Sequence, residues 1–259
     1  NAATSRTPDA GALGIGQAHL AISTTSWISC AVAAKKTDAL HSIATVPGLT
    51  PEGHLVADNH EAAGASLTWL RSQVVDGSYE ELCDEAIHSP AGSNGVLFQP
   101  WLAGMRSPVD DRSARGGWTG MSLQTTRADL IRSVLEGVAL QSRWLLGPVE
   151  KFAGTRFDAL RILGGGAQSD LWCQIHADAL GRRVERVREP MAAQSRGAAL
   201  IAALALGVIG FDDVPALVPV DRAFVPDPQV TPVYDALARE LPKVYSGLKG
   251  TFSRLRSPR

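Results

Sequence analysis

The alternation of apolar and polar residues predicts two neighbouring strands early in the chain. The segment from Ala18 to Val32 is rich in β-branched and apolar residues and is interrupted at the hydroxyl cluster 23–26. This pattern is typical of two strands joined by a turn. A short apolar run at 96–98 lies between turn residues and predicts another strand. The polar, glycine-rich segment 106–120 is expected to be a surface loop.

Apolar residues spaced three or four positions apart predict helices in much of the remaining chain. The first covers Ala63 to Val74, and the clearest covers 127–146. A strand, a run of three glycines and a helix ending at Gly181 follow, and then a strand at 182–187. Strands that come first and then alternate with helices predict an α/β, layered domain.

Two later segments are also predicted to be helical. The stretch 195–207 is so rich in alanine and leucine that we expect a buried helix, closed by Gly207. The last amphipathic stretch, 233–252, contains Pro242, which is expected to kink or split its helix.

The composition excludes several classes of function. The formal net charge is −1, so no overall field attracts nucleic acid or an anionic membrane. The most apolar stretch, 197–210, is shorter than the ~20 residues that span a bilayer. Three widely separated cysteines show neither metal-ligand spacing nor a disulfide framework. They favour reduced thiols and a cytoplasmic protein. The chain begins with Asn1 rather than Met, which suggests a fragment.

The glycine run at 164–166 is the first candidate for chemistry. A glycine-rich turn between a strand and a helix lets a ligand approach the backbone, where free N–H groups at the helix start favour anions. Ser169 could cap that helix. The same turn could equally serve only to pack a strand against a helix. The segment matches neither the P-loop pattern nor the dinucleotide fingerprint.

Five segments, in order, resemble motifs of the FGGY carbohydrate kinases, a branch of the actin-like ATPase superfamily. The first segment, which resembles the second phosphate motif, is AHLAISTTSWIS. The next, which resembles the helix after the β-hairpins, is NHEAAGASLTWL. Two further segments of the family are similar to GVLFQPWLAGMRSP and RADLIRSVLEGVALQSRWLL. LGGGAQSDLWCQIHADALGRRV resembles the adenosine motif. Within the family, xylulokinase-like members are the most similar.

The resemblance implies an actin-like (ribonuclease H-like) α/β fold, with a mixed β-sheet flanked by helices. It implies that residues 1–259 are the C-terminal, nucleotide-binding domain of a kinase whose N-terminal, sugar-binding domain is absent here. The implied ligands are ATP, Mg²⁺ and a sugar, with a xylulose-like ketose favoured. The N-terminal domain is an implied partner. Family members often dimerise, so a homodimer is one option.

The resemblance also assigns candidate nucleotide contacts by motif position. Thr24 matches the threonine that contacts the terminal phosphates, and Thr25 follows it. Glycines of the 106–120 segment approach the nucleotide in family members. The adenosine motif supplies small residues that leave room for a flat base, and Asp170 lies where the family often has Asn or Ser near the adenine. These candidates are Gly117 and Gly120, then Gly165, Gly166, Ala167 and Asp170.

Two departures from the family pattern stand out. Ser23 occupies a place that is usually glycine, and its Cβ could crowd phosphate or resist a positive φ. The general base of the family is an Asp in a Gly-x-x-Asp element before the phosphate strands. Asp9 is the one candidate in the chain, but its distance to the strands is short. Counting back from the phosphate strands by the distance usual in the family places the base near Asn1 or Ala2. The alternative role for Asp9 is to form a turn.

Three functions remain to be compared. The first is the nucleotide-binding half of an ATP-dependent carbohydrate kinase. The second is a catalytically inactive, regulatory or scaffold relative, which Ser23 and the uncertain base would fit. The third is a dinucleotide-dependent oxidoreductase, disfavoured because no acidic residue lies at a suitable distance after the glycines to hold a ribose.

Overall fold

An eight-stranded sheet organises the chain, of which the computed structural model describes residues 8–49 and 53–256. Two further strands form a separate hairpin. The strands are β1 (Ala18–Ile22), β2 (Ser26–Val32), β3 (Thr37–Asp38), β4 (Ile43–Pro47), β5 (His54–His60), β6 (Leu97–Gln99), β7 (Gly117–Thr119), β8 (Ala159–Leu163), β9 (Arg183–Val187) and β10 (Val220–Phe224).

The large sheet has the order β10-β9-β8-β1-β2-β5-β4-β3 and is mixed. Strand β8, the third from one edge, pairs in parallel with both β1 and β9. The remaining pairs, including the β1–β2 hairpin, are antiparallel. The predicted break at the hydroxyl cluster is therefore confirmed, because β1 ends at Ile22 and β2 begins at Ser26.

Helices cover both faces of the sheet. They are α1 (Gly64–Gln73), α2 (Tyr79–Ala86), α3 (Arg127–Ala153), α4 (Asp170–Leu180), α5 (Ala193–Ala205), α6 (Val214–Leu217) and α7 (Thr231–Arg256). The long helix α3 begins with a capping box between Thr126 and Asp129 and ends at Gly154, which has φ +73°. Within the described ranges, no helix is both long enough and apolar enough to cross a membrane.

The alternation of side chains along β1 separates two cores. Leu20 and Ile22 face the main core, where α3 and α4 pack against the sheet. The Trp172 indole of α4 donates to the Leu135 carbonyl of α3 and fixes these two helices together. A smaller core on the other face contains Leu163 and Leu200 and lies beneath α5. The expected α/β architecture is confirmed.

Several local expectations prove wrong. Of the two outcomes expected for Pro242, a kink or a split, the split is wrong, since α7 continues through Pro242 while Leu241 and Tyr245 pack against the main core. The 106–120 segment is not all surface loop, because β7 pairs with β6. The Ala-rich helix α5 is not fully buried, because Ala198, Ala202 and other side chains on one side are exposed to solvent. The expectation of a buried α5 failed because amino-acid composition does not determine which sides of a helix are packed against other elements.

Candidate functional site

Two loops leave the large sheet side by side and form a cleft. The turn after β1 and the glycine turn after β8 are neighbours because Ala21 pairs with Leu163 at the ends of two parallel strands. Loops at the carboxyl ends of adjacent parallel strands are where open α/β sheets bind ligands. Here the loops line a cleft of about 840 Å³ together with residues of α2 and α4.

The three glycines of the turn have different surroundings. Gly164 has φ +91°, and a Cβ there would lie 2.5 Å from the Ile22 carbonyl oxygen. A Cβ at Gly166 would lie 2.3 Å from Cγ2 of Ile22. These two glycines therefore let β8 pack against β1. Gly165 is exposed in the cleft, and its Cβ would meet only the Met191 sulfur, at 3.5 Å. Of these three glycines, Gly165 is the one that no close contact within the protein requires.

Helix α4 begins at the floor of the cleft with its cap in place. The Ser169 hydroxyl accepts from the Trp172 backbone N–H at 3.2 Å, as predicted. Asp170 lines the cleft in the first turn, where the helix dipole favours a carboxylate. Its carboxylate is already paired, with Arg186 at 2.6 Å and with Arg222. The two arginines therefore already balance the negative charge of Asp170 when a ligand enters the cleft.

The hairpin turn between β1 and β2 is held by the start of α1. The Ser23 carbonyl accepts from Gly64 N–H at 2.7 Å, and the Thr24 carbonyl accepts from Ala63 and Ala65 N–H groups. Thr24 is exposed and lines the cleft. The Thr25 hydroxyl instead accepts from the Trp27 indole at 2.8 Å, and Thr25 does not line the cleft.

Ser23 causes no backbone strain in this turn. The non-glycine residues with positive φ in the described ranges are Ser42, Ser93, Asn94 and Glu189. Ser23 is therefore not in the left-handed region that favours glycine. Its hydroxyl oxygen lies 3.0 Å from the Cβ position of Gly164, so the serine fills space between the two loops.

Three other candidates do not line the cleft. Ala167 is fully buried behind the glycine turn. Gly117 and Gly120 lie in the β6–β7 hairpin, where a Cβ at Gly120 would be 2.3 Å from the Gly95 carbonyl oxygen. The hairpin packs through Trp118 onto Trp69 of α1, with ring centroids 5.6 Å apart. The close contact at Gly120 therefore accounts for that glycine within the hairpin.

Asp9 does not line the cleft. It lies in a buried turn, Pro8–Ala10, that packs beneath α5. Its carboxylate is 3.9 Å from His19 Nε2, and its carbonyl accepts from the Arg196 guanidinium at 3.1 Å. The alternative base positions, Asn1 and Ala2, lie outside the described residues.

The wall opposite the glycine turn was missed by sequence reasoning. It is formed by α2, which contributes Tyr79, Glu80, Cys83, Asp84 and Ile87. The pattern Ser78-x-x-Glu81, a capping box in the structure, could have predicted this helix. Burial raises the pKa of the Cys83 thiol, so that thiol is neutral.

The cleft is acidic rather than basic. Besides the paired Asp170, its lining contains the carboxylates of Glu80 and Asp84, and none of its described lining residues is Lys or Arg. Nor do the described residues hold a group of three or more His, Cys, Asp or Glu side chains suited to a metal. An anionic ligand would rely on backbone N–H groups, hydroxyls and its own counter-ions.

Comparison with known proteins decides the family. Residues 20–206 match the C-terminal domain of the FGGY family of carbohydrate kinases. The chain belongs to this family. As an FGGY-family chain, it is 35% identical over 191 residues to a xylulose kinase of Staphylococcus epidermidis, covering 73% of this chain and 38% of that protein. It is 31% identical over 249 residues to a glycerol kinase of Pseudomonas aeruginosa, covering 93% of this chain and 47% of that protein.

Solved structures agree with the FGGY-family assignment. The xylulose kinase of Rhodospirillum rubrum superposes with a TM-score of 0.82 at 30% identity, covering 96% of this chain and 51% of that one. This FGGY-family chain thus spans about half the length of the relatives that it matches. The resemblance found in the sequence and the actin-like ATPase fold that it implied are both confirmed.

Proposed function

We propose that this chain is the nucleotide-binding half of an ATP-dependent carbohydrate kinase. One observation carries the proposal: the Thr24 hairpin and the bare Gly165 share a single cleft. A purine could lie against the Gly165 backbone because Gly165 has no side chain and only the Met191 sulfur lies within 4 Å of its Cβ position. Phosphates extending along the cleft would reach the Thr24 hydroxyl, a donor that is free to rotate. The volume of about 840 Å³ suits a small-molecule ligand.

Mg²⁺ would enter this cleft with the nucleotide. It prefers phosphate oxygens and water, supplemented by one or two carboxylates. That preference fits a cleft with carboxylates and without a metal-ligand cluster of its own. When bound, Mg²⁺ would neutralise phosphate charge that the described cleft residues do not.

The proposed reaction moves the γ-phosphoryl group of ATP to a sugar hydroxyl. The bond to the β-phosphate oxygen breaks, a bond to the sugar oxygen forms, and ADP leaves while a base takes the hydroxyl proton. Asp9 is the base proposed from the resemblance, although it does not line the cleft. A ketose of the xylulose type is the proposed acceptor because relatives are named xylulose kinases. The acceptor's binding residues would lie mainly in the N-terminal half.

Calorimetric titration with Mg-ATP tests the nucleotide site. The wild-type chain is expected to bind, and Gly165→Ala to bind about tenfold more weakly, roughly 1.4 kcal/mol, because a methyl group enters the cleft. Gly147→Ala is a matched control, since Gly147 is exposed on α3 with no atom near its Cβ position. It should bind like the wild type.

The proposal fails if Mg-ATP gives no binding even when the chain is joined to its upstream half. Binding without any sugar-dependent turnover in that joined protein would instead identify a catalytically inactive relative. Turnover that is lost in Asp9→Asn while nucleotide affinity is kept would support Asp9 as the base.

A further inference from the structure

Tyr79 places an aromatic ring in the wall of the proposed nucleotide cleft. It is the first residue of α2, lines the cleft and is 45% exposed. Ligand sites are lined mainly by apolar and aromatic side chains, so an exposed ring in a cleft is a candidate for ligand contact. Tyr79 lies between the segments that resemble the family motifs, and those motifs give it no role.

Two contacts hold the Tyr79 ring in position. The Arg71 guanidinium lies over the ring, 4.6 Å from its centroid, and the Tyr79 hydroxyl hydrogen-bonds the Thr68 hydroxyl at 2.9 Å. Arg71 does not line the cleft, so the ring meets the cleft on a side that Arg71 does not cover. A side chain that is held before binding loses less entropy when a ligand contacts it.

Tyr79 and Gly165 belong to facing walls of the cleft. Cys83 lies four residues after Tyr79, so the two side chains are neighbours on one face of α2, and both line the cleft. The Cys83 thiol hydrogen-bonds the side chain of Ser169, the residue that caps α4 directly after the glycine turn. This face of α2 is therefore turned toward the glycine turn, and the cleft lies between them.

We propose that Tyr79 is a stacking residue that holds the purine of the nucleotide against the Gly165 main chain. The proposal rests on the proposed nucleotide-binding function and adds the second wall of its base site. One face of the base would lie on the bare backbone and the other on the phenol ring. Stacking recognises the flat face of a base rather than its edge, so Tyr79 favours a purine without distinguishing adenine from guanine.

Calorimetric titrations of the joined two-half protein with Mg-ATP and with Mg-tripolyphosphate test this role. Tripolyphosphate carries the phosphates of ATP without the base, so it does not use the ring. Tyr79→Leu should weaken Mg-ATP binding about tenfold, because base–aromatic stacking is lost, and should leave Mg-tripolyphosphate binding unchanged. Tyr79→Phe keeps the ring and loses only the hydroxyl, so it should bind both ligands like the wild type.

Phe211→Leu is a matched control for the loss of an exposed ring. Phe211 is also 45% exposed, and it does not line the cleft. This variant should bind Mg-ATP like the wild type. Retained tripolyphosphate binding by Tyr79→Leu shows at the same time that the variant is folded.

Three results would overturn the proposal. The first is an unchanged Mg-ATP affinity in Tyr79→Leu. The second is an equal loss of Mg-ATP and Mg-tripolyphosphate binding in that variant, which would show that Tyr79 maintains the shape of the cleft. The third is an equal loss of Mg-ATP affinity in Tyr79→Phe and Tyr79→Leu, which would assign the effect to the hydroxyl bond with Thr68.

The wild-type titrations separate this proposal from the nucleotide site itself. A wild type that binds neither ligand would contradict the proposed function and the stacking role together. A wild type that binds tripolyphosphate as tightly as Mg-ATP would keep the phosphate site and reject a base held by Tyr79.

Discussion

Gly164 and Gly165 are adjacent in the chain, but different physical constraints act on them. Gly164 combines φ +91° with a Cβ position 2.5 Å from the Ile22 carbonyl oxygen, whereas Gly165 has neither constraint. We expect Gly164→Ala to lower the free energy of unfolding by roughly 1–3 kcal/mol through backbone strain and crowding. Gly165→Ala should change it little. Urea denaturation of both variants checks this contrast, and equal stabilities would contradict the steric account.

Buried histidine makes stability depend on pH. Burial lowers the pKa of His176 from 6.5 to about 4, while its ring hydrogen-bonds the Trp172 carbonyl at 2.8 Å. Below about pH 6.5 the unfolded chain binds a proton that the folded chain does not. The free energy of unfolding should therefore fall by about 1.4 kcal/mol per pH unit between pH 6 and 4 from this residue.

A variant isolates the contribution of His176 from those of other groups. His60 acts in the same direction, with a pKa near 3, whereas burial raises the pKa of Asp58 to about 6 and acts in the opposite direction. In His176→Gln the slope of unfolding free energy against pH should be shallower by about one proton. An unchanged slope between pH 6 and 4 would show that His176 titrates normally.

At the scale of elements, one buried carboxylate connects three segments. Glu136 of α3 accepts from Gly92 N–H, the Ser93 hydroxyl, Arg132 and the Tyr234 hydroxyl of α7. Glu136→Gln should cost about 3–5 kcal/mol, because it leaves the buried Arg132 without its counter-charge. Tyr234→Phe should cost less, roughly 1–3 kcal/mol, since only hydroxyl bonds are lost. Chemical denaturation gives both values, and the reverse order would contradict this assignment.

Sequence patterns predicted an element where local information was sufficient. Helices α1, α3 and α4 follow from apolar spacing, and the β1–β2 break follows from the hydroxyl cluster. Helix α2 was missed because it is short and mostly polar, and only its cap marks it. The environment of α5 could not be predicted, because a fully apolar helix does not indicate which of its sides meets the sheet. The continuity of α7 depends on packing beyond Pro242.

At the scale of the whole molecule, the site was predicted only in part. The motifs singled out Thr24, Gly165 and Asp170. All three line one cleft because the sheet places the ends of β1 and β8 side by side. The α2 wall could not be predicted from the sequence, since it reaches the cleft through tertiary packing alone. Gly117 and Gly120 were assigned by motif position and do not line the cleft; close backbone packing against Gly95 explains the glycine at 120.

The exposure of the cleft leads to a prediction about activity. Thr24 and Gly165 are exposed, so water has free access to the place where phosphates would lie. Phosphoryl transfer to a sugar needs the acceptor beside the γ-phosphate and water excluded, which closure of a second domain supplies. We therefore expect these 259 residues to bind Mg-ATP without phosphorylating xylulose or glycerol above background. A labelled-phosphate assay, run beside the joined two-half protein, measures this. Sugar phosphate made by the 259 residues alone would contradict it, because the chain would then contain a complete acceptor site.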